Sequence, residues 1–516
     1  MLLKVGLKLP IVSRNSIEST DRVVEIAVRN RFLVSNFVRL WNKKIGRNTA
    51  MKIKVKNLGA LKQAEFTLGD LTIICGCNNT GKTYATYALF GFLATWQDRL
   101  SIKINADKID LLLADGVVRL DIQEYVDNIE QIVAQYCQAY TKELPKIFAA
   151  RAERFKTTDF QVSLDIQNIR LASGFDLKMR AANAELFFIT KSEESTELVV
   201  TLLVEKDKVK IPTQIIERII ADALKEIIFL HILPRPFIAC SERTGAAIFR
   251  KDLNFDRNRL FEEIGQAGQN IDRVKLLLKD IDYGDYGDYA LPIRTNVDFI
   301  RRLETIAKKS SFIAENHPDV LADFADIIGG KYTVTRNDQL YYEPKDKRIK
   351  LSMDESSSAV RSLLDIGFYL RHEAQLGDLL MVDEPELNLH PENQRRVARL
   401  FAQLVNLGIK VFITTHSDYI IKELNTLIML NHDKPHLKRI AQVEGYRQEE
   451  LISSEKIKVY IAEEASIILD GKTKKTKCQT LTPANIDPEL GIEARSFDTT
   501  IETMNRIQEA IVWSEE

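Results

Sequence analysis

The chain has 516 residues, with 72 Lys or Arg against 73 Asp or Glu and a formal net charge of −1. Such a length holds more than one domain, and the balanced charge excludes a globally basic nucleic-acid binder while leaving room for a local basic face. The cysteines, Cys75, Cys77, Cys137, Cys240 and Cys478, are odd in number and irregularly spaced, which argues against a disulfide framework or a zinc site and for reduced thiols in a cytoplasmic setting. No uncharged apolar run of about 18 residues occurs, so a membrane-spanning helix is not supported.

Residues 1–50 are rich in Arg and Lys and amphipathic in places, as at Val23–Val28, without the core and cleavage site of a signal peptide. Met51 then opens a strand pattern in which Ile53 and Val55 alternate with lysines. The first fifty residues are therefore either an extension ahead of the natural start or an arm that docks on a partner. Leu71–Ile74 reads as a buried strand and Tyr84–Trp96 as a helix. Residues 98–150 read as mostly helical, with Ile122, Val126, Ile129 and Val133 on one face. Residues 158–212 switch to period-two alternation, the mark of an antiparallel sheet, and Ile215–His231 return to helix. Helix over 296–328 and strands over 329–352 follow. Ser356–Leu376 reads as one helix ending at Gly377, Leu379–Val382 as a short buried strand, Pro391–Leu407 as a helix, Val411–Thr415 as a strand and Ser417–Leu424 as the start of a helix. That alternation means a largely parallel sheet with helical cover. The last ninety or so residues are less readable, and no long heptad run occurs.

Three segments carry chemistry. Gly76-Cys77-Asn78-Asn79-Thr80-Gly81-Lys82-Thr83 fits G-x-x-x-x-G-K-[ST] between a strand and a helix. Its glycines let backbone amides turn around phosphate, Lys82 adds charge at the β/γ phosphates, and Thr83 offers a hydroxyl to Mg²⁺. Asn78 and Asn79 either reach the phosphates or favour the turn, and Cys75 and Cys77 read as small residues filling tight positions. Leu379–Val382 ends in Asp383-Glu384, a carboxylate pair whose burial needs a cation or donors nearby. Asp383 is placed for Mg²⁺ and Glu384 for polarising the attacking water. Glu386, Asn388 and His390 follow on a loop where His390 and Pro391 shape the helix start. His416, after the strand Val411–Thr415, is the candidate for sensing or stabilising the γ-phosphate, with Asp418 either orienting it or binding across a partner surface. The chain is thus expected to be a nucleotide triphosphatase using Mg²⁺; that the nucleotide is ATP is implied by a family resemblance.

Gly76–Thr83, Leu379–Glu386 and Thr414–Asp418 resemble the ABC-type ATPase heads of chromosome-maintenance and recombination proteins. With Pro236–Thr244 and Asp383–Pro391, they look more narrowly like the stand-alone ATPases of prokaryotic anti-phage operons, including those similar to the overcoming-lysogenisation-defect ATPase and the Septu- and retron-associated ATPases. The resemblance implies an α/β P-loop fold of ABC-ATPase type with an antiparallel β lobe and a large helical and β insertion. It divides the chain into ATPase parts at 51–97 and 235–430, an inserted lobe at 98–234 and an α/β tail at 431–516. It also implies a homodimer or higher even oligomer with nucleotide between subunits, where Ser356, Ser357 and Ser358 occupy the signature-helix position without its usual glycines. Arg243 is then a phosphate or interface arginine or a buried structural one. The glutamine of the following loop stays unassigned, Gln97 being poorly placed and Gln161 one option. Near Ile457–Glu464 no Asp-x-Asp follows, so no intrinsic nuclease is expected, and the resemblance implies a separate effector such as an HNH nuclease. Two roles follow: a sensor and scaffold regulating that nuclease, or a DNA repair and recombination ATPase that clamps DNA. A transporter subunit is disfavoured by the wide lobe between the motifs.

Overall fold

The computed structural model describes residues 50–165, 171–172, 174–181, 184–203, 212–250, 289–335, 339–493 and 503–511; of the extension or arm at 1–50, residues 1–49 lie outside them. Two compact units are built from interleaved pieces of the chain. Among the described residues no helix is long and apolar enough to cross a membrane.

The larger unit takes in Arg47–Ser101, Asp127–Arg170 and Phe229–Glu516. Strands β1 (Met51–Leu58) and β2 (Leu61–Leu68) form an antiparallel hairpin. The buried strand β3 (Leu71–Cys75) leads into the P-loop and the helix Lys82–Arg99. That helix is buried on most of its circumference, and the helix Ile129–Ile147 packs so close that a Cβ on Gly91 would lie 2.5 Å from the Tyr140 hydroxyl. This explains why it shows little amphipathic stripe of its own.

The smaller unit, described over 102–126 and parts of 171–228, contains β4 (Val117–Asp121). Strand β5 (Asp159–Leu164) belongs to the larger unit and pairs with β1. Strands β6 (Phe175–Ala181), β7 (Ala184–Lys191) and β8 (Glu197–Leu202) join β4 in a four-stranded antiparallel sheet of order β4-β8-β7-β6. Two expectations change here. The alternating stretch 158–212 divides between two sheets, because β5 finds its partner in β1 about a hundred residues upstream. The region 98–150 also contains a strand, β4, whose Val-Val-Arg-Leu-Asp alternates too briefly to stand out between helices.

The remaining described strands are β9 (Pro236–Ala239), β10 (Gly330–Val334), β11 (Leu340–Pro344), β12 (Leu351–Ser352), β13 (Leu379–Asp383), β14 (Lys410–Thr415), β15 (Ile457–Ile468), β16 (Lys475–Pro483), β17 (Ile486–Asp487) and β18 (Gly491–Ile492). The principal sheet has the order β16-β15-β3-β14-β13-β9. All its strands run parallel except β16, which pairs antiparallel with β15. The three-stranded sheet β2-β1-β5 attaches to it where the Thr480 hydroxyl donates to the Gln63 carbonyl at 2.6 Å. The helix expected over Ser356–Leu376 is broken: Ser358–Ser362 and Leu364–His372 are separate helices, and the chain leaves helical geometry at Glu373. The break sets Tyr369 against Phe237 of β9, stacked at 4.3 Å, while Gly377 with φ +77° sits in the loop before β13.

Register decides where the chemistry collects. Cys75 is level with Thr415 of β14 and Ile461 of β15, and Asp383 is level with Thr414. The carboxyl ends of β3, β14 and β13 therefore open on the same edge, the place where parallel α/β sheets bind ligands.

Candidate functional site

The P-loop is shaped by backbone geometry that few residues tolerate. Gly76 has φ +134°, and a Cβ there would lie 2.5 Å from the Ala462 carbonyl oxygen of β15. Gly81 has φ +97°, with Leu61 Cγ 2.7 Å from its missing Cβ. Asn79 takes φ +64° and is exposed with Asn78, so the turn-forming role of Asn79 is observed. Thr80 closes the loop by donating to the Cys77 carbonyl at 2.8 Å. Cys75 is buried, its thiol pushed up to about 12 by burial, whereas Cys77 is exposed, contrary to the expectation that both fill tight positions.

The helix Lys82–Arg99 begins at Gly81 with no side-chain cap. Its first backbone N–H groups and the positive end of its dipole are thereby left for an anion. Lys82 is 6% exposed and donates from Nζ to the carbonyls of Gly76 at 2.9 Å and Cys77 at 2.7 Å. Burial pulls it below the ordinary lysine value, opposed by Glu384 and Asp383.

Across the sheet edge, the Thr83 hydroxyl donates to Asp383 Oδ2 at 3.2 Å, and the Thr414 hydroxyl donates to Oδ1. Asp383 is 1% exposed, and its hydrogen-bonding side-chain partners are these two hydroxyls. A buried carboxylate met only by neutral oxygens suits a hard cation, and Mg²⁺ fits this oxygen set. Burial pushes Asp383 up to about 6, Glu384 and Glu242 adding to the rise and the two hydroxyls opposing it. The folded carboxyl thus holds its proton more tightly than the unfolded one. Its stabilising effect is present below about pH 4 and is lost as pH rises toward 6, at a cost of about 3 kcal/mol. In metal-free, nucleotide-free protein at pH 7.5, Asp383→Asn is therefore expected to raise Tm, and the advantage should shrink near pH 4.5. Thermal unfolding across pH checks this; an unchanged or lowered Tm at pH 7.5 contradicts it.

Glu384 has φ +53° and receives its place from the backbone: its N–H donates to the Thr414 carbonyl at 3.0 Å. Arg243 supplies the rest. Fully buried, it donates to the carbonyls of Ser362 at 2.7 Å, Cys240 at 2.8 Å, Asp383 at 2.7 Å and Glu384 at 2.7 Å. Of the readings open for Arg243, the geometry is that of a structural arginine, locking the carbonyls around the acidic pair. Asp365, also fully buried, stands near it and accepts from Asn296 at 2.8 Å; burial raises its carboxyl and Arg243 lowers it.

His416 is half exposed, with Nδ1 at 3.1 Å from Glu386 Oε1 and 3.7 Å from Glu384 Oε1. Its backbone N–H donates to Glu386 Oε1 at 2.8 Å. Burial raises the Glu386 carboxyl, with the His416 N–H opposing. His390 accepts from the Glu392 N–H at 3.3 Å and caps its helix as expected.

The structure thus brings Gly76, Thr80, Gly81, Lys82, Thr83, Asp383, Glu384 and His416 to one edge. The serines behave differently. Ser356 donates to the Ser352 carbonyl at 2.7 Å, Ser357 accepts from the Val360 N–H at 3.3 Å, and Ser358 is exposed at the start of a five-residue helix. Gln161 lies on β5 and donates to Asp159 at 2.7 Å. Sequence reasoning assigned no site role to Thr414 or to Glu386. The threonine pair ahead of His416 and the second glutamate of Asp-Glu-Pro-Glu were the available signals.

No curated protein matches the chain. It is similar to a solved SMC head bound to the C-terminal winged-helix domain of ScpA, at 10% identity over 83% of this chain and 97% of that one, with a TM-score of 0.28. A Pyrococcus furiosus SMC head with an extended coiled coil, bound to the C-terminal domain of ScpA, matches at 12% identity over 89% and 98%, with a TM-score of 0.26. An SMC head domain from Thermotoga maritima matches at 8% over 84% and 98%, with a TM-score of 0.28. The family assignment rests on the family model described as the AAA ATPase domain, which matches residues 51–421 and spans both the P-loop and the acidic strand. The chain belongs to the AAA ATPase domain family and is an ATP-binding and ATP-hydrolysing P-loop ATPase with an α/β fold.

Proposed function

We propose that ATP bound on Gly76–Thr83 draws two copies of the chain together, that hydrolysis releases them, and that the closed pair clamps DNA. The observation carrying the chemistry is the alignment of Thr83, Asp383 and Thr414 in one hydrogen-bonded row beside Glu384 and His416. Lys82 leaves the Gly76 and Cys77 carbonyls to meet the phosphates. Thr83 and Asp383 would hold Mg²⁺, which when bound would neutralise phosphate charge. Glu384 takes a proton from the attacking water, and His416 faces the γ-phosphate through the ring nitrogen not held by Glu386.

Closure between copies rests on the resemblance of the motifs to chromosome-maintenance and recombination heads, and Ser358, exposed at its helix start, is the serine left to reach across. The same resemblance supports the clamp. Regulation of a separate HNH nuclease in an anti-phage complex rests on the narrower likeness to defence-operon ATPases, and no feature of the site favours it. The test is the molar mass of the wild-type chain, and its retention on circular DNA, with and without a non-hydrolysable ATP analogue. A twofold mass increase with analogue, and DNA retention that needs the analogue and falls with salt, are expected. A monomer in both conditions sinks the closure, and DNA binding indifferent to nucleotide sinks the clamp.

A further inference from the structure

Glu386 is a costly residue for its place. It lies 7% exposed on the turn after β13, and its Oε2 is buried with no hydrogen-bond partner. Isolated buried carboxylates are expensive, so this one needs a reason. Its other oxygen is fully occupied with His416: Oε1 accepts the His416 backbone N–H at 2.8 Å and stands 3.1 Å from Nδ1 of the ring. The Thr415 hydroxyl also interacts with the Glu386 carboxylate. Glu384 Oε1 approaches the same ring nitrogen but stops at 3.7 Å, beyond hydrogen-bonding distance. Two carboxylates thus flank one imidazole nitrogen, and the nearer is the buried one, whose Oε1 is also held by the backbone N–H of the same histidine. The Glu384 side chain, 25% exposed, stands farther from the ring.

We propose that Glu386 is a positioning residue for ATP hydrolysis: it takes the Nδ1–H of His416, turns the ring's other nitrogen to the nucleotide, and keeps the imidazole off Glu384 so that the Glu384 carboxylate stays free for the attacking water. This rests on the reading of Glu384 and His416 given above. Without Glu386, the nearest acceptor for Nδ1–H is Glu384 itself, and a base already hydrogen-bonded to an imidazole is a poorer acceptor for water. Glu386 touches neither nucleotide nor water in this role and acts through the ring.

The test compares wild type, Glu386→Gln, Glu386→Leu, His416→Ala and the Glu386→Leu/His416→Ala double variant, as full chains. Steady-state ATPase assays separate kcat from KM, and the ¹⁵N shifts of histidine-labelled protein report which His416 nitrogen carries the proton. The Gln amide oxygen still accepts both N–H groups, so Glu386→Gln should keep kcat within about threefold and the Nδ1–H signal in place. Glu386→Leu should lower kcat by up to about a hundredfold, the scale of loss from a misplaced group, with KM changed less than about twofold and the Nδ1 signal shifted. The double variant should be no slower than His416→Ala alone, because without the ring there is nothing to position. A Glu386→Leu protein with wild-type kcat, a loss that appears in KM, or losses that multiply in the double variant would each overturn the proposal while leaving His416 in the site. Wild-type turnover by His416→Ala would overturn the underlying role of His416 and this inference with it. If Glu386→Leu unfolds at the assay temperature, Glu386→Ala takes its place in the same cycle, with the same outcomes deciding.

Discussion

A Glu384→Gln protein is expected to turn over ATP at least about a hundredfold more slowly than wild type while binding ATP with similar affinity. The substitution is isosteric and leaves the local backbone alone. The Glu384 N–H still donates to Thr414, and the Glu384 carbonyl still accepts from Arg243, so the positive φ at this position is held as before. What is lost is the carboxylate that can take a proton. The phosphate-binding groups, Lys82 and the uncapped start of its helix, are untouched. The expected signature is therefore a fall in kcat with a retained ATP complex, which the proposed closure between copies would make visible as a persistent dimer. Phosphate release and equilibrium ATP binding measured side by side check this. Turnover within about tenfold of wild type would remove Glu384 as the base.

The largest effect on stability is expected at Arg243. Arg243→Met fills much of the same volume but removes the guanidinium from the carbonyls of Ser362, Cys240, Asp383 and Glu384, leaving Cys240 and Glu384 only the backbone N–H groups of position 243 and Leu387. A buried acceptor left unpaired costs about 1–3 kcal/mol, and Asp365 would lose its nearby cation as well. A loss of roughly 4 kcal/mol or more is expected, comparable to much of a domain's stability. Arg243→Lys should not rescue it, because one ammonium cannot match a planar fork aimed at diverging carbonyls. Denaturant unfolding read with ATPase activity tests the prediction. A loss under about 1 kcal/mol would mean that water replaces the guanidinium and that Arg243 does not hold the acidic pair in place.

Much of the site was legible because its parts are local. Gly76–Thr83 is a contiguous loop whose glycines are required by positive φ at Gly76 and Gly81, and Leu379–Asp383 is a contiguous apolar strand ending in acid. The threonine that completes the Asp383 site, Thr414, was inside a quoted motif but looked like any strand residue, since its role exists only by register with β13. Arg243 was visible as an arginine and undecidable as a role. Its donors reach carbonyls more than a hundred residues away, and nothing local marks them. The helix over Ser356–Leu376 read as continuous because its apolar spacing is continuous; at the break the Ser362 carbonyl accepts from Arg243, a partner 119 residues away.

The tail holds the widest gap. The last ninety or so residues are less readable in sequence, yet β15 lies next to the P-loop strand and its Ala462 carbonyl is what forbids a side chain at Gly76. Strand order in a parallel sheet is set by which faces the helices bury, a global property that period and composition do not encode. The sequence by itself determined that a nucleotide loop, a carboxylate pair and a histidine exist and that each ends a strand, because motif chemistry and hydrophobic period are local. Only the tertiary structure decided that β14 lies between β3 and β13, that Arg243 locks the acidic backbone and that Glu386 lies against His416, because those depend on register and burial between segments far apart in the chain.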